Sequence, residues 1–253
     1  AAEKRAEELG YKCERFFVRE KGLSDKRLNQ ILVSRGIQGI IVFPFVKSGE
    51  LLELQWKHFS PVLIGFNLEK PDLHRVMSDH LGGMQVVLRE LDRRGFKRIG
   101  YAIDERIERR LRYAWRSAFL QYQQLIEPRF RVPHFAFDVQ DPESNSQPKE
   151  EELKSWLAEH KPEVVVGLTH SPRLAMMRMG VRVPEDIAYV TLDWKKFFHG
   201  EFSGLDQRSD EIGATSAEKV IAMMQANEFG LPRSPQFISL LGQWHDGDHP
   251  LKP

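Results

Sequence analysis

The sequence lacks the features that mark a disulfide-rich, membrane-spanning or strongly nucleic-acid-binding chain. Its 253 residues include one cysteine, Cys13, so no disulfide can form within the chain, which fits a reducing compartment. No apolar run approaches the roughly 18 residues that a membrane-spanning helix needs. The 37 basic and 36 acidic residues leave a net charge of +1, and a self-contained DNA-binding domain is expected to be more basic.

Motifs for metal, nucleotide or covalent chemistry are also missing. Gly82-Gly83 lacks the spacing of a dinucleotide fingerprint, and no P-loop, G-x-S-x-G or H-E-x-x-H motif occurs. The stretch 245–249, HDGDH, has residue types that suit a metal, but no Cys/His framework accompanies it. Cys13 is interpreted as a packing residue rather than a nucleophile. The sequence therefore predicts neither a metal nor a cofactor, and no catalysed reaction.

Short apolar runs alternate with amphipathic stretches along most of the chain. Continuous apolar runs at 164–168 and 187–192 are typical of strands buried on both faces of a parallel sheet. Further strands are predicted at 11–18, 39–45, 62–66, 97–103 and 135–138, with an antiparallel edge strand at 237–244. Helical spacing predicts helices that include 24–35, 106–124, 150–160 and 210–225. This order predicts an α/β fold of two lobes, each an open, mainly parallel sheet flanked by helices, with a ligand cleft between the lobes.

The most informative stretch is GVRVPEDIAYVTLDW, residues 180–194. Gly180 can close a helix, Pro184 prevents its continuation, and the apolar strand that follows ends at Asp193 and Trp194. The stretch resembles the signature "GlrVPeDi.vvgfDd" of the lactose-repressor/galactose-repressor family of bacterial transcription regulators. Other resembling stretches occur in the family's order: IQGIIV at 37–42, RGFKRIGY at 94–101, RSAF at 116–119, and GLDQ at 204–207 followed by Ile212-Gly213.

The resemblance implies two lobes joined by three crossovers. On that template the first lobe comprises residues 1–102 plus about 197–226, and the second comprises 103–196 plus about 227–253. The implied partners are a sugar-like effector in the cleft, a second copy of the chain in a homodimer, and operator DNA, but no membrane. The family's helix-turn-helix does not occur in this sequence, and residue 1 falls within the helix after the family's first strand. We therefore expect that strand and the DNA-binding head to be missing here, so that this chain alone does not bind operator DNA.

Candidate ligand residues follow the predicted strands, because open α/β sheets bind ligands at the carboxyl ends of their strands. Phe43 and Phe45 follow one strand, where aromatic rings suit either a sugar or base or ordinary core packing. Asp193 and Trp194 follow another. The resemblance implies that Asp193 is partly structural and partly effector-facing, and that Trp194 replaces an acidic residue and can stack on a ring.

Further candidates come from the resemblance and from helix geometry. Arg116 matches a family arginine that often reaches the effector, and its guanidinium can donate to hydroxyls, carboxylates or phosphates. Arg109 and Arg112 are predicted to share its helix face, either as ligand contacts or as a solvated basic face. His170 stands where many relatives carry an aspartate, and either contacts the ligand or caps the next helix. With His170 and Trp194 at acidic positions, the sequence predicts a less acidic, more aromatic pocket.

Asp79 and Gln207 are weaker candidates. Asp79 precedes a helical pattern and is favoured as its N-cap over a ligand contact. Gln207 matches a family glutamine at the third crossover, where a structural role is favoured.

These patterns predict the cytoplasmic effector-sensing and dimerisation core of a transcription regulator, with a carbohydrate or derivative as first choice of ligand. The alternative is a solute-binding protein of a transport system, which shares the two-lobe fold and would carry a signal peptide upstream. A small α/β enzyme using Asp104, Glu105 or Asp193 is less favoured, because no spacing demands one.

Overall fold

The computed structural model describes residues 1–18, 23–45, 50–66, 68–138, 149–195, 202–248 and 251. Its strands are β1 (Gly39–Val42), β2 (Glu50–Leu51), β3 (Ser60–Ile64), β4 (Leu68–Lys70), β5 (His74–Ser78), β6 (Ile99–Asp104), β7 (Phe135–Phe137), β8 (Val164–Gly167), β9 (Ala188–Thr191), β10 (Gly204–Asp206), β11 (Phe237–Leu240) and β12 (Gln243–His245). Its α-helices are α1 (Ala2–Glu8), α2 (Asp25–Ser34), α3 (His80–Arg93), α4 (Glu105–Arg110), α5 (Ala114–Leu125), α6 (Glu150–His160), α7 (Ser171–Arg178) and α8 (Ser209–Gln225), and 3-10 turns occupy Trp56–His58 and Pro128–Phe130. Among the described residues no helix is both long and apolar enough to cross a bilayer.

The chain divides into two compact units, which confirms the predicted α/β fold with a mainly parallel sheet in each. The first unit comprises residues 1–78 and 208–240, and the second comprises 79–207 and 241–253. These boundaries differ from the predicted ones, which placed 79–102 and about 197–207 in the first lobe and 227–240 in the second. The physical reason is pairing: β6 hydrogen-bonds to β7 and β8 of the second unit, whereas β11 hydrogen-bonds to β5 of the first.

The first unit is built on the parallel sheet β1-β3-β5-β11. Val62 and Val76 from neighbouring strands are fully buried and pack against Val220 and Met223 of α8. Helix α2 begins as predicted, because the Ser24 side chain accepts a hydrogen bond from the backbone N–H of Arg27. The amphipathic helices therefore bury their apolar stripes against the sheet.

Residues 11–17 form no strand, contrary to the sequence prediction. A strand needs a hydrogen-bonding neighbour, and within the described chain β1 pairs only with β3. Phe16 and Val18 instead pack against a core cluster that contains Leu28 and Phe59.

The predicted antiparallel tail strand is also corrected, because two strands replace it. β11 runs parallel to β5 in the first unit, whereas β12 runs antiparallel to β10 in the second. The two short strands are edge strands of different sheets. The weak alternation of apolar and polar residues in the tail therefore belongs to two edge strands rather than one.

The second unit is built on the sheet β12-β10-β9-β8-β6-β7, in which all strands but β12 are parallel. Val164, Val165 and Val166 of the central strand are fully buried, as expected for β-branched residues covered on both faces. On one face Leu153 and Trp156 of α6 pack with Val165 and Tyr189 in the main core cluster.

Substitution of Leu153 by Ala tests the importance of this cluster. Leu153 is fully buried, so removing its side chain leaves a cavity, and we predict a loss of about 2–5 kcal/mol in the free energy of unfolding. Leu125→Ala is the matched control, because this helical leucine is 80% exposed and its loss should change stability by less than about 0.5 kcal/mol. Urea unfolding followed by circular dichroism measures both, and equal stability of the two variants would contradict the assignment of the core.

Candidate ligand-binding site

The parallel strands of the second unit bring three loops to one edge of the sheet. Ala102 of β6 lies beside Gly167 of β8, and Gly167 lies beside Thr191 of β9. The segments that follow β6, β8 and β9 therefore leave the sheet at the same carboxyl edge. This edge receives Arg116, His170, Asp193 and Trp194, four of the predicted ligand residues, from the segments that follow the strands.

The predicted helix 106–124 is interrupted at residues 111–113. Arg112 and Tyr113 have positive backbone φ angles of 55° and 58°, which residues other than glycine rarely adopt and which do not occur within a regular helix. The prediction that Arg109, Arg112 and Arg116 share one helix face is therefore wrong, because the helical phase is lost between α4 and α5. Arg109 is exposed and lies 3.5 Å from Asp138, and Arg112 is also exposed, so both match the alternative of a solvated basic surface.

Arg116 is held in place by neighbours in the same unit. Its guanidinium pairs with Glu105, and its side chain is only 15% exposed. The guanidinium carbon also lies 5.1 Å from the centre of the Tyr113 ring. The Nε–H is buried and has no acceptor among the described residues. The arginine is thus fixed in orientation, and one of its donors is unsatisfied.

A buried carboxyl group near Arg116 escaped the sequence reasoning. Glu108 is fully buried and accepts a hydrogen bond from the Tyr101 hydroxyl. Burial raises the pKa of Glu108 against the opposing hydrogen bond and the nearby Arg116, and so favours its neutral form. In the sequence Glu108 is one acid among several in a charged helix, so no signal distinguished it.

The loop that carries His170 is anchored by Tyr189. The Tyr189 hydroxyl donates a hydrogen bond to the backbone carbonyl of Thr169. Gly167 permits this arrangement, since a Cβ at that position would lie 2.4 Å from the Tyr189 oxygen. His170 is the N-terminal flanking residue of α7, but its side chain makes no capping hydrogen bond, so the capping alternative is wrong. Its ring centre lies 6.1 Å from that of Phe202.

Arg173, in the first turn of α7, also escaped the sequence reasoning. Its guanidinium carbon lies 4.4 Å from the centre of the Phe202 ring, and one terminal nitrogen donates to the Met177 sulfur at 3.4 Å. Its Nε–H is buried without an acceptor. A signal was available, because a cation in the first turn of a helix opposes the helix dipole and calls for an explanation.

Asp193 and Trp194 each contact a neighbouring side chain of the second unit. The Asp193 carboxylate lies 3.6 Å from the Lys195 ammonium and remains about one-third exposed. Trp194 stacks on His245, with ring centres 4.1 Å apart and planes 7° apart. The Trp194 ring therefore already has one stacking partner, although its indole N–H is buried without an acceptor.

Three of the four remaining predicted residues, Asp79, Gln207 and Phe45, have structural contacts. Asp79 caps α3 by accepting a hydrogen bond from the Gly82 N–H at 2.9 Å, as the sequence favoured. The Gln207 amide donates to the Leu192 carbonyl at 2.8 Å and so ties down the segment after β9. Phe43 and Phe45 belong to the first unit, where Phe43 is exposed and Phe45 packs against the cluster around Val42.

No metal centre is assembled in the part of the chain that the structure describes. Within it, no group of three or more His, Cys, Asp or Glu residues lies close enough to hold an ion.

His80 provides a test of the electrostatics beneath this edge. It begins α3, lies 5.0 Å from Trp115 between ring centres, and burial lowers its pKa from 6.5 to about 4, with a smaller contribution from Arg110. Since the unfolded chain takes up this proton first, stability is lost as pH falls from about 6.5 toward 4. We predict that His80→Gln removes roughly 2 kcal/mol of the decrease in unfolding free energy between pH 7 and pH 5.

The control for this measurement is His58→Gln, because His58 is exposed. Urea unfolding at pH 7, 6 and 5 should give the same pH dependence for the control as for the unaltered chain. If His80→Gln has the same pH dependence of unfolding free energy as the unaltered chain, His80 is not buried in its neutral form.

Solved structures that match this fold include proteins described as transcription regulators. A LacI transcriptional regulator from Lactobacillus brevis is 15% identical, with a TM-score of 0.69, covering 96% of this chain and 92% of that one. A putative ribose operon repressor from Burkholderia thailandensis is 18% identical, with a TM-score of 0.66 and coverage of 96% and 90%. A LacI family transcriptional regulator from Enterococcus faecium with bound ribose is 14% identical, with a TM-score of 0.61 and coverage of 96% and 91%.

Comparison with curated proteins gives no match. The family model described as a periplasmic binding protein-like domain matches residues 88–239, which is more than half of the chain. Each unit has a mainly parallel sheet, and the chain passes from one unit to the other three times. Together with the family match, these features show that the chain belongs to the periplasmic binding protein-like family.

Proposed function

We propose that this chain is the effector-sensing core of a lactose-repressor-type transcription regulator. Its ligand binds at the carboxyl edge of the second unit's sheet, where the segments after β6, β8 and β9 meet. The residues that contact the ligand are Arg116, His170 and Asp193, with the Trp194 indole N–H as a further donor.

The observation that carries this proposal is a set of oriented, buried N–H donors at one sheet edge. The Arg116 Nε–H and the Trp194 indole N–H are buried and have no acceptor among the residues that the structure describes. A buried donor that stays unsatisfied costs about 1–3 kcal/mol, so a ligand that supplies acceptor oxygens regains that free energy. Polar ligands rich in oxygen are therefore favoured over apolar ones.

A carbohydrate or a carbohydrate derivative has the required chemistry. Sugar hydroxyls accept hydrogen bonds from arginine and indole N–H groups, and they donate to carboxylates such as Asp193. The Enterococcus faecium regulator of the same fold has ribose bound. Binding without catalysis also suits the site, because Asp104 and Glu105 are engaged by Arg106 and Arg116 rather than aligned as an acid and base pair.

Regulation requires partners beyond the ligand. We propose that the full-length protein acts in the cytoplasm as a homodimer and contacts operator DNA through an N-terminal domain. Sedimentation equilibrium of the chain measures the dimer directly, and a monomer at all concentrations would count against it.

A solute-binding protein of a transport system is the second candidate, because the matched family description covers that fold equally well. The two candidates differ in the sequence that precedes the sensor domain. A helix-turn-helix there supports regulation, whereas a secretory signal peptide supports transport.

Isothermal titration with pentoses, hexoses, disaccharides, nucleosides and sugar derivatives tests the proposed site. We predict that at least one compound binds and that Arg116→Gln weakens it roughly tenfold to hundredfold, because a charge-assisted hydrogen bond is lost. Arg93→Gln is the matched control, since Arg93 lies on the exposed side of α3 and pairs with Glu90.

The control variant should bind like the unaltered chain. Binding that is insensitive to Arg116→Gln would move the site elsewhere. Release of a chemically changed product during incubation with the panel would favour the enzyme alternative.

A further inference from the structure

We propose that the ligand of this protein carries an anionic group, a phosphate or a carboxylate, which Arg173 binds in front of Phe202. This inference rests on the proposed function and specifies the class of ligand within the same site. The anionic group supplies the acceptor oxygens that the Arg173 guanidinium does not have among the described residues.

Arg173 is oriented without being neutralised. Its contacts with Phe202 and with the Met177 sulfur fix the plane of the guanidinium. A thioether sulfur is a weak acceptor. An aromatic face attracts the cation but does not supply the two oxygen acceptors that a guanidinium can bind at once. No carboxylate among the described residues pairs with Arg173 by salt bridge or hydrogen bond. The arrangement leaves a buried Nε–H donor and a full positive charge.

The position of Arg173 at the start of a helix makes the binding of an anion more favourable. It lies in the first turn of α7, where the helix dipole is positive and a cation is unfavourable. Helix α7, with the sequence SPRLAMMR, contains no acidic residue that could compensate. A bound anion at this turn would be stabilised by the arginine and by the helix end together.

The carboxylates at this sheet edge are already engaged by other groups. Their pairs are Asp104 with Arg106, Glu105 with Arg116, Asp138 with Arg109, and Asp193 with Lys195. Glu108 accepts from the Tyr101 hydroxyl. The Arg110 Nε–H is also buried without an acceptor among the described residues, but its charge interacts with that of Asp104. Arg173 is therefore left as a cation that no carboxylate of the described segments pairs with.

The geometry suits an oxyanion attached to a larger polar ligand. A guanidinium binds two oxygens of a phosphate or carboxylate through parallel N–H bonds, which adds orientation as well as affinity. His170 lies beside the same Phe202 ring and can add a donor to the group. The rest of the ligand would reach the Arg116 and Asp193 region, as in the proposed function.

Calorimetric titration of matched sugar pairs tests the inference. The probes are glucose, galactose and ribose, their monophosphates, and the corresponding sugar acids glucuronate, galacturonate and ribonate. We expect one anionic probe to bind at least about tenfold more tightly than its neutral parent, and Arg173→Gln to weaken that probe roughly tenfold to hundredfold. Arg173→Lys should retain part of the preference, because the charge remains while the fork is lost.

Arg178→Gln is the control, since Arg178 lies on the same helix and pairs with Glu150 at 2.6 Å. Circular dichroism of each variant confirms that it is folded. A phosphate-only or carboxylate-only preference supports the inference and identifies the group.

Two results overturn it in different ways. If neutral sugars bind as tightly as anionic ones, or if Arg173→Gln weakens both classes equally, the anionic ligand is wrong while the sensor function stands. If no neutral or anionic probe binds, both the inference and the proposed function fall.

Discussion

The parallel pairing of β6, β8 and β9 is the constraint on which the rest of the second unit depends. Residues 102, 167 and 191 lie side by side in the register of these strands, so three separate segments must leave the sheet at one edge. The pairing is maintained by a core of fully buried valines such as Val165 and by Trp156 and Tyr189, which lie almost entirely inside. The loops can therefore be polar and charged, because the sheet and not the loops supplies the stability that positions them.

The chemistry at this edge is cationic and aromatic rather than acidic. Glu105 pairs with Arg116, Asp193 lies 3.6 Å from the Lys195 ammonium and stays about one-third exposed, and the Trp194 ring is stacked on His245. In the proposed function, the groups that contact the ligand are therefore mostly N–H donors held by rigid neighbours, with Asp193 as an acceptor. Such preorganised donors favour a ligand with strong acceptors, and they bind it without the entropic cost of ordering flexible side chains.

The sequence predicted the architecture well, whereas the ligand residues that it proposed stay predictions. Periodicity identified strands such as β8 and helices such as α6, because these elements bury continuous or amphipathic faces. It missed the break at Arg112 and Tyr113, since a left-handed backbone at non-glycine residues has no local signature. It also predicted a strand at residues 11–18, which form none, because whether a strand has a neighbour to pair with cannot be read from its own sequence. Resemblance pointed to Arg116, His170 and Asp193. Arg173 was missed, although a cation in the first turn of a predicted helix was a signal that the sequence offered.

A crystal structure of the protein with its tightest-binding ligand measures the location of the site directly. We predict electron density for the ligand at the carboxyl edge of the second unit's sheet, with acceptor oxygens within hydrogen-bonding distance of the Arg116 and Arg173 guanidinium groups. Density at any other surface, with both guanidinium groups still unbound by the ligand, would contradict the assignment of the site and of its chemistry.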